Sequence, residues 1–356
     1  SRFAISRETV AMFALLRYPA ACTTLAILAS CTGGTPAPVP GQATSAGLHR
    51  RSTSSCPCIY VTNPVYASQS ITVYPTSATG NAAPIRVISG GMTLLKAPYG
   101  IAVDAAGVIY VADYLGTGST SGAVEVYAPG DNGNVPPFEY ISGSATGLSA
   151  PAGVAINPVN GNIYVLNDGN YSITMYSPGS TGNIAPIGTI AGSRTKLTGQ
   201  TFGIAFDASG NLYVGNDNAT ITVYAAGATG NVRPIRTISG PRTKLTEPIN
   251  LTLDPGGNLY AVNPYPHTGH VFGSVTAYAA GANRNAKAIQ YIKGAMTKLD
   301  GPHAIAIDGS GNIVVANYYG NTITTYAPGA TGNVAPINTI KGGRTGLNAP
   351  TAMTIR

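Results

Sequence analysis

Three of the four histidines in this 356-residue chain lie close enough in sequence context to share one metal. His267 and His270 form an H-x-x-H in the run "NPYPHTGHVFGS" (263–274), and His303 follows in "GPHAIAID" (301–308). Three imidazoles with one open coordination position suit zinc. No Glu stands beside them as an evident base, so surface histidines without metal are the other reading. A second candidate set recurs at regular intervals: Asn63, Asp113, Asn167, Asn216, Asn263 and Asn317, with Asp168 and Asp217 directly after two of them. Amide and carboxylate oxygens in a ring could coordinate calcium or bond to a sugar, or could tie down their own loops through backbone bonds. No Ser-His-Asp set, nucleophile elbow or Cys–His pair is legible.

Composition restricts the elements that could position these groups. Only 9% of residues are charged, Trp is absent, and Gly (45) and Pro (26) make up about a fifth of the chain. Such a profile fits many turns and short strands, not long helices. The net charge of +7 lies largely in the first 51 residues, where Arg2, Arg7, Arg17, Arg50 and Arg51 outnumber Glu8. Nucleic-acid binding is not expected, since no basic footprint or motif accompanies the remainder.

The N-terminus reads as an address. An apolar run from Ala20 to Ser30 is too short to span a bilayer. Leu28-Ala29-Ser30-Cys31 resembles the lipobox of bacterial lipoproteins, which implies cleavage before Cys31 and its lipidation. Residues 1–31 are therefore expected to be a signal peptide, and 32–56, rich in Gly, Pro, Ser and Thr, a flexible tether. The expected location is the bacterial envelope or exterior, with the membrane reached by the lipid anchor only. Cys56 and Cys58 form a C-x-C with no assigned chemistry: a strained disulfide or two free thiols.

Self-comparison from residue 57 onward reveals a repeat. A core of the IYV type recurs six times, at 59–61, 109–111, 163–165, 212–214, 259–261 and 313–315. Each is followed by a run ending in Tyr (SITVY, AVEVY, SITMY, TITVY, SVTAY, TITTY), a Gly/Asn turn, and a third run such as APIRVIS. A loop of the type GxRTKL then leads to P-x-G-I-A-x-D. We label these four runs B, C, D and A. They are short and β-branched, and both alternating faces are apolar, so each strand must be covered on both sides. Four-stranded antiparallel blades stacked radially meet that demand, which predicts an all-β six-bladed β-propeller over 57–356. The chain starts at run B and ends at run A (350–355), so the C-terminal strand is expected to complete the first blade and close the ring.

The repeat P-x-G-[IV]-A-x-[DN], x-G-N-[LI]-Y-V-x-[DN], I-x-V-Y resembles that of NHL-repeat propellers across about 57–356. The Asn-His-Arg usual before run C is replaced by small residues such as Ala219-Thr220. The resemblance implies the fold; the family includes protein-binding, RNA-binding and catalytic members. In related propellers the site lies on the face made by the D–A and B–C loops. On that face the residue before run A varies as Tyr99, Ala152, Phe202, Ile249, His303 and Thr351, which marks a channel mouth. Lys96, Arg194, Lys196, Arg242, Lys244, Lys298 and Arg344 would form a basic rim. Turns of the type DGSGN (308–312) repeat in nearly every blade and read as turn chemistry, not calcium loops.

The expectation is a monomeric, non-catalytic binding or scaffold module with a protein or glycan ligand. Its ligand residues would be Tyr99, Asp113, Asn167, Asp168, Phe202, Asn216, Asp217, Asn263, His303 and Asn317. The alternative is a metal-dependent lyase or hydrolase at the same mouth, using zinc on His267, His270 and His303. No cofactor is favoured.

Overall fold

The computed structural model describes residues 57–115, 122–199, 202–264 and 273–356. Within them the runs of each repeat form one four-stranded antiparallel sheet, and six such sheets make a β-propeller. Blade 1 joins β24 (Ala352–Ile355) to β1 (Cys58–Asn63), β2 (Ser70–Pro75) and β3 (Arg86–Ile88). Blade 2 comprises β4 (Pro98–Val103), β5 (Ile109–Asp113), β6 (Ala123–Tyr127) and β7 (Glu139–Ile141). Blades 3 to 6 follow in the same order over 151–190, 204–238, 250–293 and 302–340. The first strand of each blade faces the axis, and these inner strands pack on one another around the ring. The expected signal peptide and tether, with Cys31, lie outside the described residues, as do Cys56, His267 and His270. Cys58 is buried.

The core follows from two-sided strands. It consists of six apolar clusters, each filled from two adjacent blades. Between blades 1 and 2, for example, Tyr60, Ile71, Val73 and Ile88 meet Ile101, Ile109, Val111 and Tyr127. The tyrosine that ends run C is buried in every blade: Tyr74, Tyr127, Tyr176, Tyr224, Tyr278 and Tyr326. Each hydroxyl donates to the carbonyl of a Thr in the loop that enters its blade, as Tyr224 does to Thr195 (2.6 Å) and Tyr278 to Thr243 (2.7 Å). A buried phenol needs such a partner, because leaving it unmade costs about 1–3 kcal/mol. The same threonines fold their own loops. Thr195 Oγ1 donates to the Gly192 carbonyl and accepts from Leu197 N–H.

Closure uses two seams. Near the axis, β24 pairs antiparallel with β1 through Ile59–Ile355 to Thr62–Ala352. Thr351 Oγ1 adds bonds to Thr62 Oγ1 (3.1 Å) and the Pro98 carbonyl (3.2 Å). At the circumference the C–D segment of each blade bridges to the outermost strand of the blade before it, and Gly80 to Ile340 is the bridge that joins the ends. The turns between the first two strands are self-contained. Asp308 Oδ1 accepts from Ser310 and Asn312 N–H, and its Oδ2 accepts from Asn312 Nδ2.

Removing 350–356 deletes the innermost strand of blade 1 and exposes two inter-blade clusters. We expect the truncated chain to melt far below the full chain, or not to fold, by circular dichroism. An unchanged melt would contradict closure by β24.

Candidate functional site at the channel mouth

Where the inner strands begin, the ring of positions alternates aromatic and non-aromatic residues. Tyr99, Phe202 and His303 come from blades 2, 4 and 6, while Ala152, Ile249 and Thr351 from the blades between them are buried. Rings from alternate blades meet near the axis. Tyr99 stacks on Phe202 at 5.3 Å between centroids and 25° between planes, and Phe202 on His303 at 6.1 Å and 28°. Backbone approach helps here: a Cβ on Gly153 would lie 2.6 Å from the Phe202 carbonyl oxygen.

The residues that leave the second strand of their blades extend this stack. Tyr114 lies 5.3 Å from Tyr99, and Tyr318 stacks on His303 at 4.6 Å and 26°. Tyr319 meets Tyr318 edge-on at 5.1 Å. The six rings form one continuous belt. With Asp168, Glu247, Ile249 and Pro264 they line a cavity of about 320 Å³, at the small end of the range for ligand pockets. Burial, aided by the neighbouring Tyr318 and Tyr114 phenols, raises the Tyr99 pKa, so this hydroxyl stays a neutral donor at physiological pH. Aromatic faces with carboxylate acceptors can hold the C–H faces and hydroxyls of a polar ring. Among the described lining residues there is no Lys, Arg, Ser or Cys to bind an anionic group or attack a carbonyl.

The predicted residues divide. Tyr99, Phe202, His303 and Asp168 line the pocket. Asp217 is exposed and does not line it. Asn167, Asn216, Asn263, Asn317 and Asp113 are buried. The Asn216 oxygen accepts from Thr198 N–H (3.3 Å), and its amide donates to the Val214 carbonyl (3.3 Å) and Thr222 Oγ1 (3.2 Å). Asn63, Asn167, Asn263 and Asn317 accept from Asn348, Ser149, Thr246 and Asp300 N–H in the same way. Their polar atoms are committed to the scaffold. Of the proposed three-histidine metal set, only His303 falls among the described residues, and those residues contain no cluster of three or more His, Cys, Asp or Glu able to hold a metal. The Lys and Arg of the basic rim are exposed.

Sequence reasoning missed Tyr114, Tyr318, Tyr319, Glu247 and Pro264. A signal existed for four of these: the residues after the second strand (Pro64, Tyr114, Asp168, Asp217, Pro264, and Tyr318 with Tyr319) vary where the scaffold repeats.

No family model and no curated protein matches the sequence. Solved structures do resemble the fold. A Bacteroides fragilis protein with a provisional 6-phosphogluconolactonase assignment is 16% identical, with a TM-score of 0.57, covering 86% of this chain and 100% of that one. A propeller from a nidogen–laminin complex is 14% identical (TM-score 0.56; 84% and 97% covered). The periplasmic gluconolactonase of Pseudomonas aeruginosa is also 14% identical (TM-score 0.54; 84% and 98% covered). At these identities the likeness is one of fold: the class defined is a six-bladed β-propeller with an aromatic pocket at its channel mouth.

If the asparagine ring is scaffold, Asn216→Ala removes its buried bonds to the Val214 carbonyl and Thr222 Oγ1. We expect a loss of about 1–3 kcal/mol by urea denaturation. Full stability in this variant would return the ring to the candidate ligand set.

Proposed function

We propose that this chain is a non-catalytic binding module of the bacterial cell envelope that holds a neutral glycan at its channel mouth. The observation that carries this reading is the belt from Tyr114 through Tyr99, Phe202, His303 and Tyr318 to Tyr319, flanked by Asp168 and Glu247. Aromatic rings hold the apolar faces of sugars, and carboxylates accept from sugar hydroxyls. An acidic or phosphorylated ligand would meet two carboxylates and no Lys or Arg among the described lining residues, which argues against a phosphorylated lactone as the substrate here. The lipobox-like Leu28–Cys31 segment and the tether that follows would display the propeller on the envelope.

A second reading, a metal-dependent lyase or hydrolase at the same mouth, is favoured by His303 in the pocket and by the lactonase names of two structural neighbours. Native mass spectrometry separates the two. One zinc lost in His303→Ala, with turnover of a sugar lactone, would replace the binding reading.

The direct test of binding is calorimetry of the full chain with neutral oligosaccharides and their uronic-acid counterparts. We expect neutral ligands to bind more tightly. Phe202→Ala, at the centre of the stack, should weaken them at least about tenfold, in keeping with the 1–3 kcal/mol seen for aromatic stacking of planar ligands. Equal binding by Phe202→Ala, or preference for the uronates, would contradict the reading.

A further inference from the structure

Five blades fasten the end of their second strand to the middle of their third in one way. The Asn amide donates to a Thr hydroxyl at 3.1–3.2 Å, in Asn63–Thr72, Asn167–Thr174, Asn216–Thr222, Asn263–Thr276 and Asn317–Thr324. Blade 2 changes both partners at once: Asp113 takes the Asn place and Glu125 the Thr place. An amide–hydroxyl bond becomes two carboxyl groups in a dry interior.

Glu125 is fully buried, and neither of its oxygens has a hydrogen-bond partner among the described residues. Asp113 is engaged as an acceptor, from Lys96 N–H (2.5 Å), Ala97 N–H (2.8 Å) and Leu115 N–H (3.2 Å). Three backbone donors favour its ionised form. A second ionised carboxylate beside it would lack both solvent and a counter-charge, so Glu125 keeps its proton. Burial first, and the Asp113 charge second, push its pKa well above the carboxylate range. Among the described residues no other ionisable group supplies a cation. Tyr127 lies on the same strand, and Tyr140 sits opposite Glu125 on β7. Blade 1, which packs against this face, offers Cys58 and Tyr60, and its Arg86 is drawn onto the Tyr60 ring, 5.4 Å from the centroid.

The bonds made by Asp113 reach the pocket. Lys96 and Ala97 lead directly to Tyr99, and Leu115 follows Tyr114, the two rings that begin the aromatic belt. We propose that Asp113 and Glu125 form a charge-coupled acid pair, one ionised and one protonated, that positions the Tyr99–Tyr114 wall of the channel-mouth pocket. Glu125 keeps the proton and Asp113 the charge, so the pair carries one proton and one negative charge. Both are positioning residues. The pair itself is independent of the pocket's ligand; its effect on binding rests on the glycan reading.

Two variants of the full chain test it. Glu125→Gln is neutral and keeps a donor, so it mimics the protonated acid. Asp113→Asn with Glu125→Thr writes in the pair used by the other five blades. Infrared spectroscopy at neutral pH should show a protonated carboxylic-acid carbonyl band in the native chain that Glu125→Gln lacks. Because the folded-state pKa is raised, the stabilisation is complete below the ordinary Glu pKa of about 4.3 and declines as pH rises through the folded value. Between these limits the folding constant of the native chain should fall by up to about tenfold per pH unit relative to Glu125→Gln. Identical infrared spectra, or parallel pH profiles, would overturn the acid pair whether or not any glycan binds. Where a neutral oligosaccharide does bind, its affinity should drop at alkaline pH in the native chain and stay flat in the double variant. The same drop in both would overturn the positioning role.

Discussion

Every strand in this ring is apolar on both faces, and that constraint organises the molecule. A blade alone would expose two hydrophobic surfaces, so each is covered only by its neighbours. The six apolar clusters lie between blades and none within one. Stability is therefore a property of the closed ring. The pairing of β24 with β1 carries it at the axis, and the Gly80–Ile340 bridge repeats it at the circumference. The buried tyrosines serve the same end, since each ties its blade to the loop that delivers the chain from the previous one.

With the scaffold so regular, chemistry is confined to the places where repeats differ. The position before the inner strand alternates aromatic and non-aromatic around the ring, and three rings from non-adjacent blades meet there. The position after the second strand adds Tyr114, Tyr318 and an acid, Asp168. Both positions lie on the same face, and two of the lining residues, Phe202 and Ile249, also belong to the cluster between blades 5 and 6. The exposed basic residues sit outside that pocket and leave its lining acidic and aromatic.

Much of this was legible in the sequence, because repetition shows which residues serve the fold. The six IYV-type cores gave the blade count, and the offset between the first and last runs gave the closure. The DGSGN turns were legible as turns, since Asp and Gly recur there in nearly every blade. Contact across the axis was not legible. Tyr99 and Phe202 lie about a hundred residues apart, and nothing in the linear pattern says that their rings touch. The Asn and Asp ring fits both a ligand and a scaffold reading in sequence, and its hydrogen bonds tie the asparagines to the scaffold. Glu125 is a single letter in AVEVY. Its meaning depends on the Asn–Thr bond of the other five blades, which is a three-dimensional pattern.

The measurement closest to the central claim is saturation-transfer NMR on the full chain with a pool of neutral oligosaccharides. The chain has no Trp, so aromatic irradiation excites chiefly its Tyr, Phe and His rings. The account predicts transfer to the sugar ring protons, and its loss when Phe202 is replaced by Ala. Transfer that persists without the Phe202 ring would place the glycan elsewhere. No transfer to any neutral glycan, with binding of a protein partner across the same face instead, would contradict the account.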